Sequence, residues 1–197
     1  PGDPQLAQWC QRGALVQHSK AVGLDLAQQR AVDVRHHQAG LLRTAIGLRQ
    51  QCKGLVVHAV RALGLEALSR YAASATLLEM ERGVAQTLQQ NLATLKATNA
   101  KVVNTNTLSF LAQQGTPHNV VFVDPPFRKG LLEETLSLLE QNGWLADDAL
   151  IYVESEVENG LPPVPAHWDL HREKVAGQVA YRLYHRQAQG GSDAGTD

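Results

Sequence analysis

The sequence predicts an α/β fold with a mostly parallel sheet, helices on both faces and a C-terminal antiparallel hairpin. Three observations predict it. Short apolar runs alternate with amphipathic stretches from Leu63 to Glu156, the pattern of successive strand–helix–strand units. One run, "HNVVFVD" (His118–Asp124), is apolar almost throughout, as a strand covered on both faces must be. "WDLHREKVAGQVAYRLYHRQ" alternates on both sides of a Gly-containing turn and reads as a hairpin.

The elements follow in order. "LGLEALSRYA" (Leu63–Ala72) has apolar residues at helical spacing among good helix formers. "ATLLEME" (Ala75–Glu81) is a short apolar run ending in acids, a strand. "GVAQTLQQNLATLKATN" (Gly83–Asn99) is an amphipathic helix with Val84, Leu88, Leu92 and Leu95 on one face. "AKVVNTN" (Ala100–Asn106) is a strand and "TLSFLAQQ" a short helix. After the strand at His118–Asp124, Gly130–Leu145 reads as a helix closed by Asn-Gly. "ALIYVESE" (Ala149–Glu156) is the next strand, and "GLPPVPAHW" connects it to the hairpin. The tail, residues 188–197, is polar and Gly-rich and is expected to be disordered.

Bulk properties narrow the function. The 197 residues suit one domain, and 44% hydrophobic residues suffice for a core. A net charge of -1 argues against a global nucleic-acid-binding field, so any such site is a local patch. Cys10 and Cys52 lack metal or redox spacing, which suits a reducing cytosol, so the expected localisation is cytoplasmic. No apolar run approaches the roughly 18 residues of a membrane span, and no signal peptide is read. His18, His36, His37 and His58 show no metal-ligand pattern. No P-loop and no nucleophile elbow occur. Neither a metal nor a membrane partner is expected, and a monomer is the expected state.

The chemistry concentrates in "VVFVDPPFRKG" (Val120–Gly130). Ligands of open parallel sheets bind outside the carboxyl ends of the strands, and Asp124 stands at such an end. Pro125 and Pro126 fix the backbone and remove two N–H donors. Nearby carbonyls are thereby left to accept from a ligand. Phe127 offers a stacking face, worth about 1–3 kcal/mol to a base. Acceptors beside an aromatic face suit a planar base with an exocyclic amine. A plain strand-terminating turn is the alternative.

Asp124-Pro125-Pro126-Phe127 after an apolar strand resembles the Asn/Asp-Pro-Pro-aromatic motif of amino-group methyltransferases. The wider text, including "LGLEALSRYAASATLLEMER", "NTNTLSFLAQQGTPHNVVFVDPPFRKG" and "LHREKVAGQVAYRLYHR", resembles the bacterial RsmD family across roughly residues 62–187. The resemblance implies a Rossmann-like fold and S-adenosylmethionine as cofactor. The implied reaction is methylation of a guanine N2 amine in 16S ribosomal RNA. Either the RNA or a small-subunit assembly intermediate would be the partner. It further implies that Asp124, Pro125, Pro126 and Phe127 form the catalytic corner, with Asp124 also at the cofactor. Glu79 would accept from the ribose hydroxyls, and Asn106 with Thr107 would meet the adenine. Gly64 would be the last glycine of the cofactor loop. Arg128 and Lys129 would hold RNA phosphate.

Residues 1–61 depart from that family. They are rich in Gln, His and Arg, and "AGLLRTAIGLRQQ" is their one helix-like run. Aligned back from Gly64, the earlier loop glycines fall on Ala59 and Arg61, and the acid that ends the first strand falls on Leu55. Three units are therefore expected: an atypical segment 1–61, a methyltransferase body 62–187 and the tail 188–197. The break is expected to mark an out-of-frame or otherwise altered translation; an intact reading frame with a start upstream of Pro1 overturns that. Two other functions stay open: a non-enzymatic RNA- or ribosome-binding relative, and a DNA amino-methyltransferase.

Overall fold

A computed structural model describes residues 53–57, 64, 68, 72–125 and 130–188. Among them, seven strands form one sheet in the order β3-β2-β1-β4-β5-β7-β6. The strands are β1 (Lys53–Val57), β2 (Ser74–Glu79), β3 (Ala100–Asn104), β4 (His118–Val123), β5 (Leu145–Glu156), β6 (Trp168–Ala176) and β7 (Val179–Arg186). The first five run parallel, and β7 and β6 close the sheet as antiparallel neighbours. The helices are α1 (Arg82–Thr94), α2 (Thr107–Leu111) and α3 (Leu131–Gln141). The α/β class, the parallel body and the terminal hairpin are as the sequence predicts.

Period-2 alternation splits the strands between two cores. Leu77, Val120, Phe122, Tyr152 and Leu183 face one layer, where α1 buries Leu88 and Leu92. Leu78, Val121, Val123, Ile151 and Val153 face the other, against Leu111 of α2 and Leu136 and Leu139 of α3. Gly64 and Leu68 are helical and buried, and Leu68 joins the first core. The rest of the helix expected at Leu63–Ala72 falls outside the described residues up to Ala72.

Several boundaries move. β2 ends at Glu79 rather than Glu81, and β3 at Asn104 rather than Asn106. α1 ends at Thr94, before the expected Asn99. α3 stops at Gln141, four residues before Leu145, because Gly143 takes φ +75° and turns the chain back. The Trp144 indole then donates to the Leu111 carbonyl at 2.9 Å. β5 starts at Leu145, ahead of the expected Ala149. The sheet also begins upstream of residue 62. Lys53–Val57 is its central strand, with Leu55 paired to Thr76 on one side and Val121 on the other. Leu55 therefore lies two residues inside β1 and does not end it.

Two packing details carry predictions. Gly115 faces Trp144 so closely that an added Cβ would sit 2.6 Å from the indole and 2.8 Å from the Trp144 backbone nitrogen. Gly115→Ala is expected to lower stability by about 1–3 kcal/mol in denaturant unfolding, because backbone and a buried ring must both shift. In the last turn of α3, Glu140 ties the hairpin to the helix. It accepts from Arg186 (2.8 Å), Trp168 (2.8 Å) and His167 (3.0 Å). Burial alone would push the carboxyl up, but these hydrogen bonds outweigh it and hold it at about 2. A depressed carboxyl stabilises above its unfolded value, near 4.5, and loses that contribution as pH falls towards 2. Glu140→Gln is expected to cost about 1–2 kcal/mol at pH 7, allowing for solvent screening. In urea unfolding, the gap between the two proteins should close between about pH 4.5 and 2.

Candidate active site

The carboxyl ends of the parallel strands lie along one edge of the sheet. From β1, one run of neighbours goes to β2 and β3, the other to β4 and β5. The crevice between β1 and β4 is therefore the switch point where such sheets bind ligands. Glu79 ends β2 on one side of it, and Asp124 follows β4 on the other.

On the β2 side, Glu79 is buried and its Oε1 accepts the Glu81 N–H at 2.8 Å. The Asn104 side chain donates to the carbonyls of Glu79 and Met80, both at 2.9 Å, and the Thr105 N–H donates to the Glu79 carbonyl at 3.0 Å. The turns after β2 and β3 are thus stapled together. Asn106 caps α2, its Oδ1 accepting the Ser109 N–H at 3.1 Å. Its amide nitrogen lies 4.0 Å from the Met80 sulfur. The cap leaves the amide N–H groups of Asn106, rather than its oxygen, for further contacts. Thr107, the first residue of α2, is buried. Met80 is 67% exposed between Glu79 and Asn106. Sequence reasoning passed over it because a lone Met after a strand carries no pattern.

On the β4 side, Pro125 is buried and Asp124 half-buried. Burial raises the Asp124 carboxyl to about 6. Beyond Pro125 opens a cleft of about 530 Å³, lined among others by Gly130, Leu131, Glu133, Glu154 and Glu156. Glu154 is buried and accepts the Tyr152 hydroxyl at 2.8 Å. Burial, then the charges of Glu154 and Asp124, push Tyr181 up to about 12, so it stays protonated. Glu154 lies inside β5, and "VESE" alone gives no sign that this acid is buried. Pro126, Phe127, Arg128 and Lys129 fall outside the described residues. Gly64 lies within helical backbone.

The geometry therefore separates two halves. The β2–β3 side offers a carboxylate, an amide and a thioether, a set suited to a nucleoside. The β4–β5 side offers carboxylates over a cleft, a set suited to a base carrying N–H donors. The family described as Conserved hypothetical protein 95 matches residues 58–185, which hold both halves. The Ribosomal RNA small subunit methyltransferase D of Escherichia coli (strain K12) is 80% identical over 133 residues, 68% of this chain and 67% of that protein.

The chain belongs to the RsmD family.

Its relative from Haemophilus influenzae, with the same printed name, is 50% identical over 126 residues, 62% of this chain and 65% of that one. The solved structure of the Escherichia coli yhhF protein superposes with a TM-score of 0.74 at 68% identity. That match covers 80% of this chain and 88% of the other. The family resemblance and the Rossmann-like methyltransferase fold expected from the sequence thus hold. Among the described residues, no helix is long and apolar enough to cross a membrane. None of their His, Cys, Asp and Glu side chains form a group of three placed to hold a metal.

Proposed function

We propose that the chain is an S-adenosylmethionine-dependent methyltransferase acting on the N2 amine of a guanine in small-subunit ribosomal RNA. The observation that carries this is Asp124-Pro125 at the carboxyl end of β4, between a nucleoside-suited corner and a carboxylate-lined cleft, in a chain of this family. S-adenosylmethionine supplies an electrophilic methyl group. Glu79 holds the ribose hydroxyls, while Asn106, through its free N–H groups, and Met80 meet the adenine. Thr107 contributes backbone at the start of α2. Asp124 accepts an N–H of the target amine, which turns the nitrogen lone pair outward. As the new N–C bond forms, the methyl's bond to the sulfonium sulfur would break, S-adenosylhomocysteine would leave as the neutral thioether, and the amine proton would pass to Asp124 or to solvent. Phe127 stacks the base, Pro126 fixes the corner, and Arg128 and Lys129 hold phosphate. A base in folded RNA must first leave its stack. The body spans residues 62–187 together with β1, and the reaction belongs in the cytoplasm.

A second reading rests on Ala59 and Arg61, which stand where the family carries loop glycines. It is an RNA- or ribosome-binding relative that no longer takes the cofactor. Calorimetry with S-adenosylmethionine separates the two. Labelled methyl transfer to small-subunit particles, and none to duplex DNA, is the expected result for the first. Transfer to DNA alone would overturn it.

A further inference from the structure

Ser155 and Arg182 have no part in the steps above, yet both are buried, at 5% and 4% exposed. Arg182 of β7 stands opposite Val153 of β5 on one side and Glu173 of β6 on the other. Ser155, two residues beyond Val153, shares its face. The guanidinium donates to Glu173 Oε2 at 2.6 Å and to Ser155 Oγ at 2.7 Å. Val153 and Tyr184, on the same face, both belong to the second core. A cation set among such neighbours is costly unless it is well paired.

The bond between Arg182 and Ser155 can run only one way. A guanidinium has donors and no acceptor, so Ser155 Oγ accepts and its O–H is left for another partner. Among the described residues, none accepts that proton. A cation on the lone pair also polarises the hydroxyl and strengthens it as a donor. Ser155 lines the cleft of about 530 Å³, and so does Pro125. Each follows the paired Val123 and Val153 by two residues, so neighbouring strands bring the hydroxyl beside the Asp124-Pro125 corner. Pro125, Leu131, Leu161 and Pro162 give the cleft apolar walls, and Leu161 is 65% exposed. Glu133 and Glu158 are among its lining residues, whereas no Lys or Arg of the described residues is. Such a lining repels phosphate and admits an uncharged planar base. The Watson–Crick edge of guanine carries the N2 amine at one end and the O6 acceptor at the other.

We propose that Ser155 is a specificity-determining residue whose hydroxyl, turned by Arg182, donates to O6 of the target guanine. This rests on the N2-methylation reading, and three ligands keep the two apart. Guanosine has both the amine and O6, inosine keeps O6 and lacks the amine, and 2-aminopurine riboside keeps the amine and lacks O6. Their affinities for the full chain are measured by ligand-observed NMR titration. Guanosine is expected to bind about fivefold more tightly than 2-aminopurine riboside, the range of one hydrogen bond. Ser155→Ala should bring these two affinities within about twofold. Its preference for guanosine over inosine should stay intact, which also shows that the site is still folded. A purely structural tie between β5 and the hairpin would leave both preferences unmoved. Arg182→Met keeps the length of the side chain and removes the donor that turns the hydroxyl, so it should weaken the preference over 2-aminopurine riboside as well. Equal binding of guanosine and 2-aminopurine riboside by the unaltered chain overturns the assignment. So does an unchanged preference in either variant. Equal binding of guanosine and inosine, beside a Ser155-dependent preference over 2-aminopurine riboside, strikes the N2 reading and upholds Ser155.

Discussion

Titrated with S-adenosylmethionine, the chain is expected to bind about 100-fold more weakly than its Ala59→Gly/Arg61→Gly variant, a difference of about 2.7 kcal/mol. Family enzymes lay the cofactor against glycine backbone, where a Cβ already intrudes. Ala59 adds a methyl group and Arg61 a long cation, and the cofactor is itself cationic. In the corner proposed for adenosine, Glu79 is buried at the end of β2, and Asn106 and Met80 stand beside it. The variant therefore needs to restore only the loop. Leu55 is left unchanged, since it lies within the central strand, paired to both Thr76 and Val121. Adenosine alone, which does not depend on the loop, should bind the two proteins within about threefold. Tight binding of S-adenosylmethionine by the unaltered chain would show that the loop admits the cofactor by another path.

The body of the fold was legible because its strands are buried on both faces. Val120–Val123 could not be anything but a central strand, and β5 follows the same logic, whereas the hairpin was read from its alternation about a Gly-containing turn and its outer strand β6 is mostly exposed. β1 was harder. "KGLVV" is short and sits in a stretch with weak periodicity, and pairing with β2 and β4 on both sides places it, not its own pattern. The helix end at Gln141 was misjudged because Trp144 looks like one more apolar helix position. Its indole instead reaches across to Leu111, a contact 33 residues away in sequence. In the site, Asp124 was legible from its prolines. Glu154 was not, because an acid near the end of a strand ordinarily reads as solvated; only the pairing of Val153 with Val123, and of Glu154 with Tyr181, places it beside Asp124. Asn106 commits its oxygen to capping α2, through a local bond to the Ser109 N–H three residues on.

Asp124→Ala is expected to reduce methyl transfer by about 10³-fold or more while the protein remains folded, because orientation and charge at the amine are lost together. Asp124→Asn separates the two contributions. It keeps a carbonyl acceptor, so transfer should fall only about tenfold, and it removes the titrating group. Burial holds the Asp124 carboxyl at about 6. Above that pH the carboxylate accepts from the amine; below it, the added proton sets donor against donor. The rate, measured in the variant with restored loop glycines, should fall about tenfold per pH unit below 6. The Asn variant should be flat through the same range. Stability should run the other way. A carboxyl raised from 3.8 to about 6 binds its proton more tightly in the folded chain. Its burial therefore costs nothing below about pH 3.8, costs progressively more up to about 6, and costs most above. At pH 8 the Asn variant should accordingly be more stable than the parent, by about 1–3 kcal/mol, and the gain should vanish near pH 4. Equal stabilities at pH 8, together with a pH-independent parent rate, would show that Asp124 is an ordinary solvated acid and does not face the reacting amine.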